Sequence, residues 1–223
     1  MNAYKTAFSK FRTKQKNPFG LSYALKANYN TKLLNILINS GVDHVTTVSG
    51  NELKIAEQFS EKLNGYVFNG TGKKLAELRE AQRVSKDTGK PVYINIDSEF
   101  DYDRIKVAIE DYENVKIMIR YNPDVTQMPN IHPYVATALA NSKFGMNRSS
   151  CVAILKKMVN EGVKCSGIHT HLGSTISEIS LFEQAIAAIK LLLGDCEEIG
   201  VDLQRILFMI KQSYCARSAV CTG

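Results

Sequence analysis

The feature that most narrows the fold of this chain is a regular alternation of short apolar runs with amphipathic stretches. The runs at 21–27, 44–48, 66–69, 92–97, 115–121 and 167–172 are bounded by polar or turn residues, so each reads as a strand. Between and after them, 32–38, 52–62, 73–85, 100–112, 149–160 and 180–199 carry apolar residues at helical spacing. Leu33, Leu34 and Leu37, for example, share one side of their helix. Strand, helix, strand in this order calls for a parallel sheet with its helices outside. Strands this short and apolar suit burial on both faces.

Two α/β architectures share that pattern, the closed barrel and the open doubly wound sheet. Polar residues recur at the C-terminal ends of the runs: Lys26, Ser49, Asn69, Asp97, Arg120 with Asn122, and His171. In a (β/α) barrel those ends form the face that bears the site. An open sheet also binds ligands at strand ends, at the point where the strand order reverses. Nearly every strand contributes here and no dinucleotide-binding glycine fingerprint is present, so the barrel is the expected fold. The segment 123–143 is too long for a simple connector and is expected to cover part of a site.

Composition excludes several classes. The chain has 223 residues, 44% hydrophobic and 22% charged, an ordinary profile for one sizeable globular domain. No run approaches the ~18–20 apolar residues of a membrane span, and the basic, polar start lacks the apolar core of a secretory signal. An intracellular protein is expected, cytoplasmic or plastid if a transit peptide precedes this start. The net charge of +6 is concentrated between Lys5 and Lys16. Phe8 and Phe11 are spaced as one face of a helix with the lysines on the other, which is a solvated face and not a nucleic-acid site. The five cysteines form no CxxC pair and no ligand-like spacing, so inert thiols are expected and no metal site.

Two clusters carry chemistry. Lys26 ends an apolar strand, where burial would favour the neutral amine that Schiff-base formation requires. Taken alone, it is better read as a lysine that snorkels out of the strand end. His169 and His171 stand two apart on a strand and so project to one face, with Thr170 on the other. Cofactor contact, a packed pair and metal binding are all open to them. Metal ranks last, because His44 and His132 are the remaining histidines and neither has a carboxylate at ligand spacing.

Eight segments in order supply a resemblance. They are YALKANYN at 23–30, VSGNEL at 48–53, FNGTG at 68–72, NIDSEF at 95–100, RYNPD at 120–124, HPYVAT at 132–137, SKFG at 142–145 and GIHTHLGSTI at 167–176. Together they resemble the alanine-racemase-like class of pyridoxal-phosphate (PLP) decarboxylases. HPYVAT followed by SKFG is more similar to the diaminopimelate decarboxylases than to the ornithine enzymes. The resemblance implies a (β/α)8-type PLP-binding barrel and decarboxylation of meso-2,6-diaminopimelate to L-lysine. It implies that Lys26 holds the cofactor, His171 stacks on its ring and Ser174 touches its phosphate. Arg120 and His169 would line the site, and Ala24 would pack beside the ring. The partners implied are a small amino-acid substrate and, in the full-length family, a second subunit of a homodimer; neither nucleic acid nor membrane is expected.

The resemblance decays after Ile199. The segment 205–211 takes the place of the family's seventh strand, but 212–223 contains no glycine phosphate loop. The expected organisation is therefore a partial barrel of six to seven strands over 1–211 and an unrelated tail over 212–223, without the family's C-terminal β-domain and with little activity alone. Other readings are an ornithine- or arginine-type decarboxylase, a non-catalytic PLP-binding or regulatory homologue, and a metal-dependent barrel hydrolase built on His169 and His171.

Overall fold

The computed structural model describes residues 20–125, 144–174, 179–203 and 205–211. It divides into two compact units, Met1–Ile117 and Met118–Gly223. Of the expected long segment 123–143, residues 126–143 lie outside the described residues, as does the tail 212–223.

The first unit carries strands β1 (Ser22–Ala24), β2 (His44–Thr47), β3 (Gly65–Phe68) and β4 (Val92–Ile96). Each is parallel to the next. Parallel neighbours need a crossover, and helices α1 (Thr31–Ile38), α2 (Gly50–Glu57) and α3 (Leu75–Thr88) provide it, followed by α4 (Glu99–Ala108). Strand β5 (Val115–Arg120) runs across the division. The second unit continues with α5 (Arg148–Asn160), β6 (Cys165–Ser174), α6 (Ile179–Glu198) and β7 (Arg205–Lys211), with β7 parallel to β6. Within the first unit strand order follows chain order from β1 to β4. This is the α/β alternation that the hydrophobic pattern demands.

Register sorts the side chains of β1–β4 into two faces. Val45, Tyr66, Phe68, Val92, Ile94 and Ile96 alternate onto one face and are all buried. The helices bring their own buried residues to the sheet, Leu53 and Ala56 from α2, Leu78 and Ala81 from α3, and Tyr102 and Ile105 from α4. The other face carries Ser22, Ala24, His44, Thr46, Gly65, Val67, Tyr93 and Asn95. Val67 and Tyr93 aside it is small or polar, whereas the first face, Thr47 aside, is large and apolar, which is why the runs look uniformly buried yet are not uniformly hydrophobic.

Helix starts are written locally. Ser49 accepts from the Glu52 amide at 3.2 Å while Glu52 Oε2 accepts from the Val48 amide at 2.9 Å, a reciprocal capping pair inside the VSGNEL segment. Ser98 caps α4 through the Asp101 amide, and Asn147 caps α5 through the Ser150 amide.

Three expectations shift. The helix expected over 52–62 ends at Glu57, and Ser60–Lys62 is a 3-10 turn. That turn lets Leu63 enter the core before β3 begins. The strand expected over 21–27 is only Ser22–Ala24, and Leu25–Ala27 is a 3-10 turn. The helix expected over 100–112 stops at Ala108, so Ile109 leaves the helix with extended backbone and is buried.

Cys151, Cys165 and Cys196 are buried free thiols. Burial pushes Cys165 up to about 12 and Cys196 up to about 11, so both stay protonated and unreactive at neutral pH. Cys215 and Cys221 lie outside the described residues.

Candidate functional site

In the first unit the polar face is organised by its own hydrogen bonds. Ser22 Oγ and Thr46 Oγ1 are 2.7 Å apart, and His44 Nδ1 is 2.8 Å from Asp43 Oδ1. At the C-terminal rim Asn95 Nδ2 donates to Asn69 Oδ1 at 3.0 Å, both residues being buried. The Asn69 amide donates to the Thr47 carbonyl, which carries the β2–β3 pairing one step past the strand.

Ala24 and Lys26 belong to this unit. Ala24 is the last residue of β1, paired in register with Thr46, so it stands on the polar face. Lys26 is two residues on, exposed and in the 3-10 turn. That exposure is the placement of a lysine that snorkels out of the strand end, and only the strand's length differs from expectation, since β1 stops before Lys26.

The loops at this rim are tied together by ionic groups that sequence reasoning missed. Glu77 accepts from the amide of Gly50, the first residue of α2, and from that of Lys74 in the β3–α3 loop. Lys73 is 1% exposed and donates to Asp101 Oδ2 at 3.0 Å, with Asp97 Oδ2 at 3.9 Å. Arg104 Nη1 donates to the Lys73 carbonyl. Three successive βα loops are thus clamped to one another. Gly70, in the FNGTG segment, fits beneath them because a β-carbon there would lie 2.5 Å from the Val48 carbonyl oxygen.

In the second unit, Arg120, His169 and His171 are all buried. The Tyr121 amide donates to the His169 carbonyl at 2.9 Å, which joins the end of β5 to β6 beside both residues. The Arg120 guanidinium lies 5.0 Å from the centroid of the Phe144 ring, a cation–π contact. Thr170 Oγ1 donates to the Tyr121 carbonyl, and Leu172 packs with Val125, Leu181 and Ala185 on the α6 side. His169 and His171 therefore occupy the alternate face, as their spacing predicts. A register shift separates His171 from Gly173, and beyond it Ser174 pairs with Lys211. The Ser174 side chain lies outside the described residues.

Gly145, of the SKFG segment, has φ +74° and leaves only 3.1 Å between an added β-carbon and the Arg120 carbonyl oxygen. Gly145→Ala is expected to lose about 1–2 kcal/mol through its left-handed backbone. Urea denaturation of the two proteins measures this, and equal midpoints would remove the constraint.

An open pocket of about 620 Å³ lies at the end of β5 and the start of α5, lined by Tyr121, Asn122, Asp124, Arg148 and Asp195 among others. Arg148 is spent there on a two-point bond to Asp195, at 2.6 and 2.7 Å. Among the described residues no group of three or more His, Cys, Asp or Glu is placed to hold a metal ion.

Residues 2–207 match the family described as "Pyridoxal-dependent decarboxylase, pyridoxal binding domain". A probable chloroplastic diaminopimelate decarboxylase of Oryza sativa subsp. japonica is 35% identical over 187 residues, which cover 82% of this chain and 36% of that protein. The diaminopimelate decarboxylase of Archaeoglobus fulgidus is 34% identical over 208 residues, covering 91% of this chain and 45% of that protein. The chain thus spans less than half the length of either relative. Among solved structures, diaminopimelate decarboxylase of M. jannaschii in complex with L-lysine aligns with a TM-score of 0.76 at 26% identity, over 98% of this chain and 50% of that one. The arginine decarboxylase of a Paramecium bursaria Chlorella virus aligns with a TM-score of 0.68 at 22% identity, over 91% of this chain and 50% of that one. The latter likeness concerns the fold alone.

The residues present fit a pyridoxal group. An exposed amine follows the end of β1, and the polar face behind it holds a fully buried carboxamide oxygen, Asn95 Oδ1, with no hydrogen-bond partner. The eight ordered segments, the parallel alternation and the match over residues 2–207 agree, and the chain belongs to the pyridoxal-dependent decarboxylases, of which it carries the pyridoxal binding domain.

Proposed function

We propose that this chain is the cofactor-binding barrel domain, over 1–211, of an enzyme that decarboxylates meso-2,6-diaminopimelate to L-lysine. What supports the reading is one observation above the others: the relatives matched over 82–91% of this chain are diaminopimelate decarboxylases. The fold does not choose the substrate, because an arginine decarboxylase has it too. An ornithine- or arginine-type substrate is therefore the competing assignment.

Each residue has work that its place allows. Lys26 would hold the cofactor through Nζ and could carry a proton at that atom. Ala24, small and on the polar face, leaves room beside the ring. His171 offers the flat surface of its imidazole, and His169 lines the same face of β6. Arg120, oriented by the Phe144 ring, supplies fixed positive charge near the ring. Ser174 offers a hydroxyl to the phosphate. When bound, the pyridoxal group supplies the electron sink for the pair left behind as the α-carboxylate departs. Burial of His169, His171 and Arg120 keeps bulk water from that face.

The same reading gives a small amino-acid substrate, a homodimer in the full-length protein, and a cytoplasmic or plastid compartment. Among the described residues no helix is long and apolar enough to cross a membrane.

The experiment is CO2 release from meso-diaminopimelate, ornithine and arginine with excess PLP. It is run on this chain and on a version extended to the length of its relatives. The extended protein is expected to prefer diaminopimelate and the 223-residue chain to turn over slowly or not at all. Preference for ornithine or arginine would reassign the substrate.

A further inference from the structure

Asn95 sits on β4 with its side chain on the polar face of the first unit, on the rung after Ala24, Thr46, Val67 and Tyr93. Lys26 follows Ala24 by two residues, so the exposed amine and the carboxamide belong to the same C-terminal rim. Asn95 is 0% exposed. Its Nδ2 is used on Asn69, whereas its Oδ1 has no hydrogen-bond partner. A buried polar atom left in this state costs about as much as a lost hydrogen bond, and native structures rarely keep one without a use.

We propose that Asn95 is a ligand-contacting residue whose Oδ1 accepts a hydrogen bond from a donor on the edge of the pyridoxal ring. The inference rests on the chain binding pyridoxal, and extends that reading to a residue outside the lysine and histidine segments. A neutral acceptor in a dry setting suits a ring O–H or N–H. A bare ammonium would bring a charge for which this atom offers no compensation. Asn69 holds the carboxamide by taking its N–H, which leaves the oxygen as the unused half of the group.

The test uses the isosteric pair Asn95→Val and Asn95→Thr in the 223-residue chain. Both lose the bond to Asn69, but only Thr keeps an oxygen on the face. PLP is titrated by absorbance, which reads both affinity and the band position of the bound ring. Asn95→Val is expected to bind about tenfold more weakly, with a displaced band, and Asn95→Thr to stay within about threefold of wild type. Melting midpoints without PLP are expected to agree for the two variants. Equal affinity and equal bands in all three proteins would overturn the proposal and leave the pyridoxal reading intact. A Val variant that alone fails to fold would assign Asn95 a structural role and overturn it as well. No PLP uptake by wild type would remove both readings together.

Discussion

Borohydride reduction of this chain with PLP is expected to fix one ring on Lys26, and Lys26→Ala is expected to abolish that adduct. Attachment needs an amine that can attack an aldehyde and a surface that holds the ring while it does so. Exposed lysines such as Lys54 meet the first condition as well as Lys26 does. Lys54 lies on α2, away from the polar face that ends at Ala24, Asn69 and Asn95. Lys73 is near that rim but is buried and bonded to Asp101, and exposed Lys74 leads into α3. Selectivity is expected to come from the ring's binding surface. Peptide mapping decides the matter. An adduct on Lys143, or one scattered over Lys5, Lys10, Lys14 and Lys16, would refute the assignment.

Lys73→Met is expected to lower stability by about 3–5 kcal/mol, the cost of leaving a carboxylate buried without its cation. Asp101 is only 4% exposed at its side chain, and its remaining partner at that oxygen is the Asp97 amide at 3.3 Å. The double variant Lys73→Met/Asp101→Leu is expected to recover part of the loss, since two apolar groups make no such demand. Recovery stays partial because Asp101 Oδ2 also receives the Asp97 amide. Arg83 is the control. It binds Glu57, Glu80 and Asp87 at 2.7 Å each, more contacts than Lys73 makes, yet its side chain is 41% exposed. Solvent screens those pairs, so Arg83→Ala is expected to cost about 1 kcal/mol or less. Urea denaturation of the four proteins gives the ordering. A Lys73→Met protein as stable as Arg83→Ala would show that the clamp is wet.

The alternation of elements was legible because strand and helix periods are local. Two residues against three or four are enough to separate β4 from α4 without knowing any partner. Ser49 with Glu52 is legible in the same way, as a serine three residues before a glutamate. The exposed place of Lys26 at a strand end is legible too, but nothing in the run 21–27 marks where pairing with β2 stops. Ala24 is the last residue with a partner across the ladder, and that is a fact about Thr46, not about Lys26.

What the sequence by itself determined is the order of the elements, the two-apart placement of His169 and His171, and the family, through eight short segments kept in order. What only the tertiary structure decided is which polar groups meet. Lys73 and Asp101 are separated by 28 residues, Asn69 and Asn95 by 26, and Arg120 meets Phe144. Such pairs carry no periodic signal. For the first two, a parallel crossover returns the chain to the neighbouring strand in one register, and a shift of one residue would turn each partner to the other face.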